Sequence, residues 1–180
     1  MIYSVPVNAA SEVRALAAAG AGELYCGLQE PWWVERYGDH DSASRRQGRA
    51  NLGSREELAQ TARAAQAHGV SLYLALNGMY DEYQLDYLME LARWFEHIGG
   101  TGVIARDAGL LLRLKQDDNG LKRVLSLLAV CANAPSVDAY ARLGVSRVVF
   151  PRFLDAVHIH DILGGCVAGG VEAESMVFFD

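Results

Sequence analysis

The sequence repeats one local pattern four times, and this repeat constrains the fold more than any other feature. Each copy is a helix end marked by glycine, then a short apolar run, then a polar residue; the copies are residues 17–27, 65–77, 95–107 and 141–152. Glycine just past a helix supplies the left-handed backbone that ends it. The run at residues 72–76, LYLAL, is apolar at every position. Both faces of that strand must therefore be buried, which is typical of parallel strands packed between helices.

Strand-like and helix-like segments alternate along the whole chain. The predicted strands are residues 2–7, 24–28, 72–76, 102–106, 124–130, 148–150 and 171–179. The predicted helices are residues 11–19, capped by Ser11, 54–68, 81–97, 108–115, 135–143 and 154–163, the last followed by a glycine-rich turn. This alternation predicts a parallel sheet with right-handed crossovers.

Two architectures fit such a sheet, an open doubly wound fold and a barrel. The turn after the first strand, VPVNAAS, has no glycine, whereas doubly wound nucleotide-binding folds often carry a glycine-rich phosphate turn there. A complete eight-fold barrel takes about 250 residues. We therefore predict an α/β fold, one (β/α) TIM-barrel-like domain over residues 1–180 that is incomplete or truncated, with about seven parallel strands. The first strand should approach the last one or leave a gap one strand wide.

Residues 29–53 show neither a helical nor a strand period. Connections of this length in compact domains are often lids or binding loops. The segment follows a strand end and precedes a helix, which places it on the face where barrel enzymes bind ligands. We expect a mobile loop over the barrel mouth.

Composition and charge exclude several classes of function. The net charge is −6 and the pI about 5.3, which argues against the general electrostatic binding that DNA requires. The sequence contains neither the roughly 18 consecutive apolar residues of a membrane-spanning helix nor a signal peptide. Three cysteines without a close pair fit a reducing compartment. The sequence predicts a cytoplasmic protein without DNA or membrane partners.

Polar residues follow the predicted strands, and in a barrel the carboxyl ends of the strands meet at one mouth. They are Asn8, Cys26, Asn77, Arg106, Asp107, Cys131, Asn133, Arg152 and Glu174. We interpret Arg106, Arg152 and Asn77 as substrate-binding, together with Arg49 and Asn51 from the long loop. Arginine forks bind carboxylates and phosphates, so an electropositive mouth and an anionic ligand are expected. The alternatives are ion pairs of the arginines with Glu172 or Asp107, and a cap or turn role for Asn77.

Glu172 and Glu174 lie two apart on the last predicted strand, hence on one face and roughly 6.5–7 Å apart. With Asp107 they are the catalytic candidates, because paired carboxylates can divide acid and base roles. The alternative is that they only balance the arginines. The sequence contains no HExxH, GxSxG or CxxC motif, so no metal site is predicted.

Five segments resemble the N-terminal barrel of the collagenase-like peptidase family, peptidase family U32, in the order of that family. They are GAGELYCG, RANLGSREELAQTARAAQAHGVSLYLALN, GTGVIARDAGLLLRL, LGVSRVVFPRFLDAVHIHDI and VEAESMVFF. The resemblance implies either a peptidase or an enzyme that hydroxylates ubiquinone precursors or RNA without oxygen, using an iron–sulfur cluster and prephenate as oxygen donor. The family's cysteine cluster follows the segment VEAESMVFF, so an iron–sulfur cluster is expected only if the chain continues beyond Asp180.

Two classes of function follow. The first is a barrel enzyme that binds a small anionic substrate or RNA, with its machinery completed by a C-terminal extension or a related barrel subunit. The second is a non-catalytic scaffold subunit of a heteromeric complex.

Overall fold

Parallel strands alternate with helices from one end of the chain to the other. A computed structural model describes residues 1–38 and 51–177. The strands in these ranges are β1 Ser4–Pro6, β2 Glu23–Leu28, β3 Asn51–Leu52, β4 Ser71–Leu76, β5 Gly102–Ala105, β6 Lys122–Leu125, β7 Arg147–Val149 and β8 Glu172–Glu174. The helices are α1 Val13–Ala18, α2 Pro31–Tyr37, α3 Arg55–Ala67, α4 Glu82–His97, α5 Ala108–Gln116, α6 Ala134–Arg142 and α7 Ala156–Gly169.

The strands pair in chain order, all parallel, as β1-β2-β4-β5-β6-β7-β8. The two-residue strand β3 stands outside this path and extends the carboxyl end of β2, with Gly27 opposite Asn51. The two edges of the sheet are β1 and β8. The structure thus confirms the predicted α/β fold, an incomplete TIM barrel of seven parallel strands in chain order.

Apolar side chains on both faces of the central strands form the core. In β4 every residue from Leu72 to Leu76 is buried. Helix α4 packs on the sheet through the stripe that its sequence predicts, namely Leu85, Leu88, Leu91, Ala92 and Phe95. Asp81 begins this helix with a capping box, in which its side chain accepts a hydrogen bond from the N–H of Gln84. None of the helices in the described ranges is long and apolar enough to cross a membrane.

Three predicted boundaries near strands and the first helix differ from the structure. Strand β6 ends at Leu125 instead of residue 130, since the Ser126 hydroxyl accepts from the N–H of Leu128 and starts a 3-10 turn at Leu127–Ala129. Ser11 lies inside a 3-10 turn, Ala10–Glu12, and does not cap α1. The last strand, β8, stops at Glu174 within the predicted range 171–179, of which residues 178–179 lie outside the described chain.

Helix α7 is longer than its glycines suggest. The sequence predicts that the helix ends at residue 163 and a turn follows, but α7 continues through Gly164 and Gly165 to Gly169. A Cβ atom added at Gly165 would lie 2.8 Å from the Cβ of Ala134. Glycine at this position therefore permits the close packing of α7 against α6. The helix ends at Gly170, whose φ of 65° is left-handed.

The segment 29–53 is more ordered than predicted in the part that the structure describes. Residues Pro31–Tyr37 form the helix α2, and Asn51–Leu52 form β3. Trp33 is only 2% exposed, and its ring packs against Tyr80 and Tyr87. This aromatic anchor holds α2 against the start of α4. The proposed mobile loop therefore concerns residues 39–50 alone, which lie outside the described residues.

Replacing Trp33 with Ala should release α2. Truncation of a buried Trp costs about 3–5 kcal/mol, so the population with α2 undocked should rise and trypsin cleavage after Arg36 should accelerate at least about tenfold. The matched control is Trp32→Ala, because Trp32 is 40% exposed. Peptide mapping by mass spectrometry measures both rates. Equal acceleration in the two variants would contradict the anchoring role of Trp33.

Candidate functional site

One row of residues across the sheet combines polar and apolar side chains at the carboxyl ends of the strands. Strand pairing aligns Leu76, Ala105, Leu125, Val148 and Ala173. The next residues along these strands, one step further, are Asn77, Arg106, Ser126, Val149 and Glu174. Four of them, all except Arg106, line one interior cavity. The row therefore gives this cavity a mixed lining.

The cavity has a volume of about 890 Å³ and lies between the two edges of the sheet. Its lining includes residues of β1, such as Val5, and of β8. Much of its wall is apolar and is formed by Tyr25, Ile104, Leu127, Val149 and Met176. A largely apolar cavity with a few convergent polar groups is the ordinary form of a small-molecule site.

Four charged side chains, Arg147 and three glutamates, form a cluster in this lining. The guanidinium donates to Glu23 at 2.6 and 2.9 Å, to Glu172 at 2.9 Å and to Glu174 at 3.1 Å. Arg147 starts β7 and Glu23 starts β2, 124 residues apart in sequence. The ion pair thus bridges the interior of the half-barrel, and the side chains of both partners are at most 10% exposed.

The carboxyls around Arg147 differ in proton affinity, because Arg147 outweighs burial at Glu23 and burial outweighs Arg147 at Glu174. Burial alone would raise the pKa of Glu23, but the hydrogen bonds and charge of Arg147 outweigh it and hold that pKa below its usual value. The pKa of Glu174 shifts in the opposite direction. Burial, helped by the nearby charges of Glu23 and Glu172, raises its pKa although Arg147 opposes the shift. Two neighbouring carboxyls with divergent pKa values are the arrangement from which acid and base roles arise.

Tyr73 completes the charged group from β4. Its hydroxyl donates to Glu23 at 3.3 Å, and the guanidinium carbon of Arg147 lies 5.6 Å from the centre of its ring. Burial and the charge of Glu23 raise the pKa of Tyr73 to about 12. Tyr73 is therefore a neutral hydrogen-bond donor at physiological pH.

The turn after β4 holds Asn77 in the cavity wall through hydrogen bonds with the turn after β5. Arg106 donates to the carbonyl of Gly78 at 3.4 Å. The Asp107 carboxylate accepts from the N–H of Leu110 at 2.8 Å, as the cap of α5, and from the N–H of Tyr80 at 3.4 Å. Asp107 and Arg106 therefore stabilise the turn, and neither belongs to the described lining of the cavity.

Asn77 itself carries an unsatisfied atom. Its Oδ1 is buried and has no hydrogen-bond donor within the described part of the chain. Buried polar atoms are nearly always paired in folded proteins, so this acceptor marks Asn77 as a candidate ligand contact.

The structure brings three of the predicted site residues together and separates the others. Glu172, Glu174 and Asn77 line the cavity. Arg152 is exposed, Asn51 lies in β3 and donates to Gln29 at 3.3 Å, and Arg49 lies outside the described residues.

The sequence offered an ion pair of Glu172 with Arg106 or Arg152 as an alternative to substrate binding, and in the structure Glu172 pairs with Arg147. Sequence reasoning missed Arg147, Glu23 and Tyr73. Arg147 and Val149 are two residues apart on a strand and therefore share one face. This spacing could have indicated that Arg147 faces the same cavity as Val149. No comparable signal links Arg147 to Glu23.

The described residues do not provide a metal or iron–sulfur site. Cys26, Cys131 and Cys166 are buried, and none of the three forms a disulfide in the described structure. Burial raises the pKa of the Cys131 thiol to about 11, which disfavours the thiolate that a cluster needs. Residues 1–38 and 51–177 hold no group of three or more His, Cys, Asp and Glu suited to a metal ion. The donor set of these residues thus does not fit an iron–sulfur cluster.

Comparisons with known proteins agree with the fold. The model of peptidase family U32 matches residues 8–179. The chain is similar to the solved structure of the U32 peptidase Mk0906, with a TM-score of 0.72 and 13% identity over 97% of this chain and 68% of that one. A glycerophosphodiester phosphodiesterase from Parabacteroides distasonis ATCC 8503 gives a TM-score of 0.65 and 12% identity over 98% of this chain and 85% of that one.

A dipeptide epimerase from Enterococcus faecalis V583 gives a TM-score of 0.62 and 11% identity, over 97% of this chain but 47% of that one. The chain therefore spans less than half of the epimerase. No curated protein matches the chain by sequence. At these identities the structural likeness concerns the fold alone.

Replacing Arg147 with Met should destabilise the fold strongly. The change removes the guanidinium and leaves Glu23 buried without a counter-charge, which costs about 3–5 kcal/mol. The matched control is Arg14→Met on the exposed surface of α1, with an expected change within about 0.5 kcal/mol. Urea unfolding at pH 7 measures both free energies.

The loss of unfolding free energy in the Arg147→Met variant should also depend on pH. In the unaltered protein the pKa of Glu23 lies below 4.5, so its stabilising contribution is present above pH 4.5 and is lost as the pH falls further. Without the guanidinium, burial raises the pKa of Glu23, and the folded variant takes up a proton more readily than its unfolded chain. The difference in unfolding free energy between the unaltered protein and the variant should therefore become smaller as the pH falls from 7 toward 4.5. A constant difference over this range would contradict the assignment.

Proposed function

Since the chain belongs to peptidase family U32, we propose that it forms the barrel of an enzyme that binds a small molecule in the interior cavity and exchanges a proton with it through Glu174. The observation that carries this proposal is the position of Glu174. Its carboxyl lines a mostly apolar cavity with a raised pKa, beside Glu23 whose pKa is lowered. A carboxyl that keeps its proton nearer to neutral pH can serve as a general acid and, once ionised, as a base.

The dimensions of the cavity favour a small molecule over RNA. A volume of about 890 Å³ falls within the range of small-molecule sites. The proposals of an anionic substrate or of RNA rest on arginines, but Arg106 and Arg152 lie away from the cavity lining and Arg49 lies outside the described residues. We therefore place the small-molecule substrate first.

Two reactions suit this proposal. Peptide hydrolysis is the reaction in the name of the family, and oxygen-independent hydroxylation is the reaction that the sequence resemblance implies. For hydroxylation, the iron–sulfur cluster would be held by a further segment or by a related barrel subunit, because the described cysteines do not fit one. In both cases the residues described here supply substrate binding and the proton at Glu174. A reducing, cytoplasmic setting belongs to the same proposal.

The experiment is activity profiling with the Glu174→Gln variant. The protein is incubated with an extract of metabolites and short peptides, and mass spectrometry follows which compounds are consumed. We expect consumption by the unaltered chain and a rate about 100-fold lower for Glu174→Gln, since a general acid contributes about 10²–10⁴. The rate should fall as the pH rises through the raised pKa of Glu174, where the acid loses its proton.

The control for this experiment is Glu35→Gln, which changes an exposed carboxyl of α2 and should leave the rate unchanged. Equal rates in the two variants would remove Glu174 from the mechanism. The unaltered chain is also assayed together with proteins that are co-expressed with it. If no compound is consumed in either assay, the enzyme proposal is wrong and the non-catalytic scaffold subunit takes its place.

A further inference from the structure

The charged side chains of the cavity lining do not balance. Among the described lining residues there are three carboxyls, Glu23, Glu172 and Glu174, against the guanidinium of Arg147 and the α-amino group of the exposed Met1. We infer that the cavity recognises a molecule with an apolar body and a primary ammonium group, and that Glu172 and Glu174 receive this ammonium. This inference deepens the proposed function and rests on it.

The hydrogen bonds of Arg147 leave acceptors unused on two of the carboxyls. Two of its four bonds to carboxylate oxygens go to Glu23, at 2.6 and 2.9 Å, so both oxygens of Glu23 are occupied. Glu172 and Glu174 each receive one bond, and in both cases only Oε2 accepts it. A carboxylate offers about four acceptor positions. Their Oε1 atoms, which receive no donor from the described residues, therefore remain available to a ligand.

The geometry of the cluster makes Glu174 the principal acceptor. Glu172 is 62% exposed and so is well solvated, whereas the Glu174 side chain is 26% exposed. Arg147 reaches Glu174 through Nη1, which it shares with Glu23, and the longer of the two distances, 3.1 against 2.6 Å, belongs to Glu174. A partly buried carboxylate with incomplete compensation gains most from a cation that arrives with the ligand.

The rest of the lining defines the body of the ligand. Tyr25, Ile104 and Val149 present apolar surface next to the charged group. Asn77 offers a buried Oδ1 without a donor in the described structure, so a ligand group with an N–H or O–H would satisfy it. An ammonium with its three donors complements the carboxyls, whereas a carboxylate ligand would meet like charge. An apolar molecule with an amine at one end fits this set of contacts.

The test uses three probes with the same phenyl body: 2-phenylethylamine, 2-phenylethanol and 3-phenylpropionate. Each is titrated into the full chain at pH 7, and the dissociation constant is measured by NMR. The amine should bind about tenfold or more tightly than the alcohol, because a hydrogen bond to a charged group strengthens binding by that factor or more. The carboxylate probe should bind most weakly of the three.

Variants then locate the ammonium. Glu174→Gln should abolish the preference for the amine and leave the affinity for the alcohol within about twofold. Glu172→Gln, at the more exposed carboxyl, should lower the affinity for the amine by a smaller factor and gives a second measurement if Glu174→Gln folds poorly. Glu35→Gln, away from the cavity, should change none of the three affinities. Circular dichroism confirms that each variant is folded.

The outcomes separate this inference from the proposed function. Tightest binding of the carboxylate probe, or a preference for the amine that survives both Glu174→Gln and Glu172→Gln, overturns ammonium recognition but leaves the cavity as a binding site. Failure of all three probes to bind the folded protein overturns the small-molecule cavity, and the inference with it.

Discussion

The ion pair between Arg147 and Glu23 is the interaction on which the rest of this half-barrel depends. The sheet has two edges, β1 and β8, so its curvature is held by contacts inside the barrel. Arg147 extends from β7, beside one edge, and reaches Glu23 on β2, beside the other, with two hydrogen bonds. A buried charge of this kind is costly to desolvate and is tolerated only when it is fully paired. The pairing therefore ties the positions of the two sides of the sheet to each other.

The same guanidinium determines the chemistry of the cavity. Because two of its four hydrogen bonds go to Glu23, that carboxyl stays ionised. Glu174 receives one longer bond, and burial raises its pKa at the edge of an apolar space. Arg147 thus links the two sides of the sheet and keeps Glu23 ionised, whereas burial makes Glu174 the carboxyl suited to proton transfer. The turn bound by Arg106 and Asp107 presents Asn77 to the same space. These residues therefore contribute both to the stability of the fold and to the candidate site.

Local patterns in the sequence predicted the architecture, and contacts between distant residues decided most of what they missed. The fully apolar run of β4 and the start of α4 at Asp81 depend only on neighbouring residues, so their predictions are confirmed. Arg147 begins the short strand β7 and Arg152 follows its end, and the sequence does not reveal which of them faces Glu172. The partner Glu23 lies 124 residues away. Likewise, Gly165 reads as a turn until Ala134 of the neighbouring helix is in place.

The most direct test of this account is a ¹³C NMR titration of the glutamate side-chain carboxyls in the folded protein, assigned with Glu23→Gln and Glu174→Gln. The account predicts that Glu23 titrates below the ordinary value of 4.5, because of its two hydrogen bonds with Arg147, and that Glu174 titrates above it, because burial outweighs its single bond with Arg147. If both carboxyls titrate near 4.5, or if Glu174 titrates below Glu23, the pKa values of the two carboxyls are not separated in the way that the structure indicates. The central claim would then be wrong.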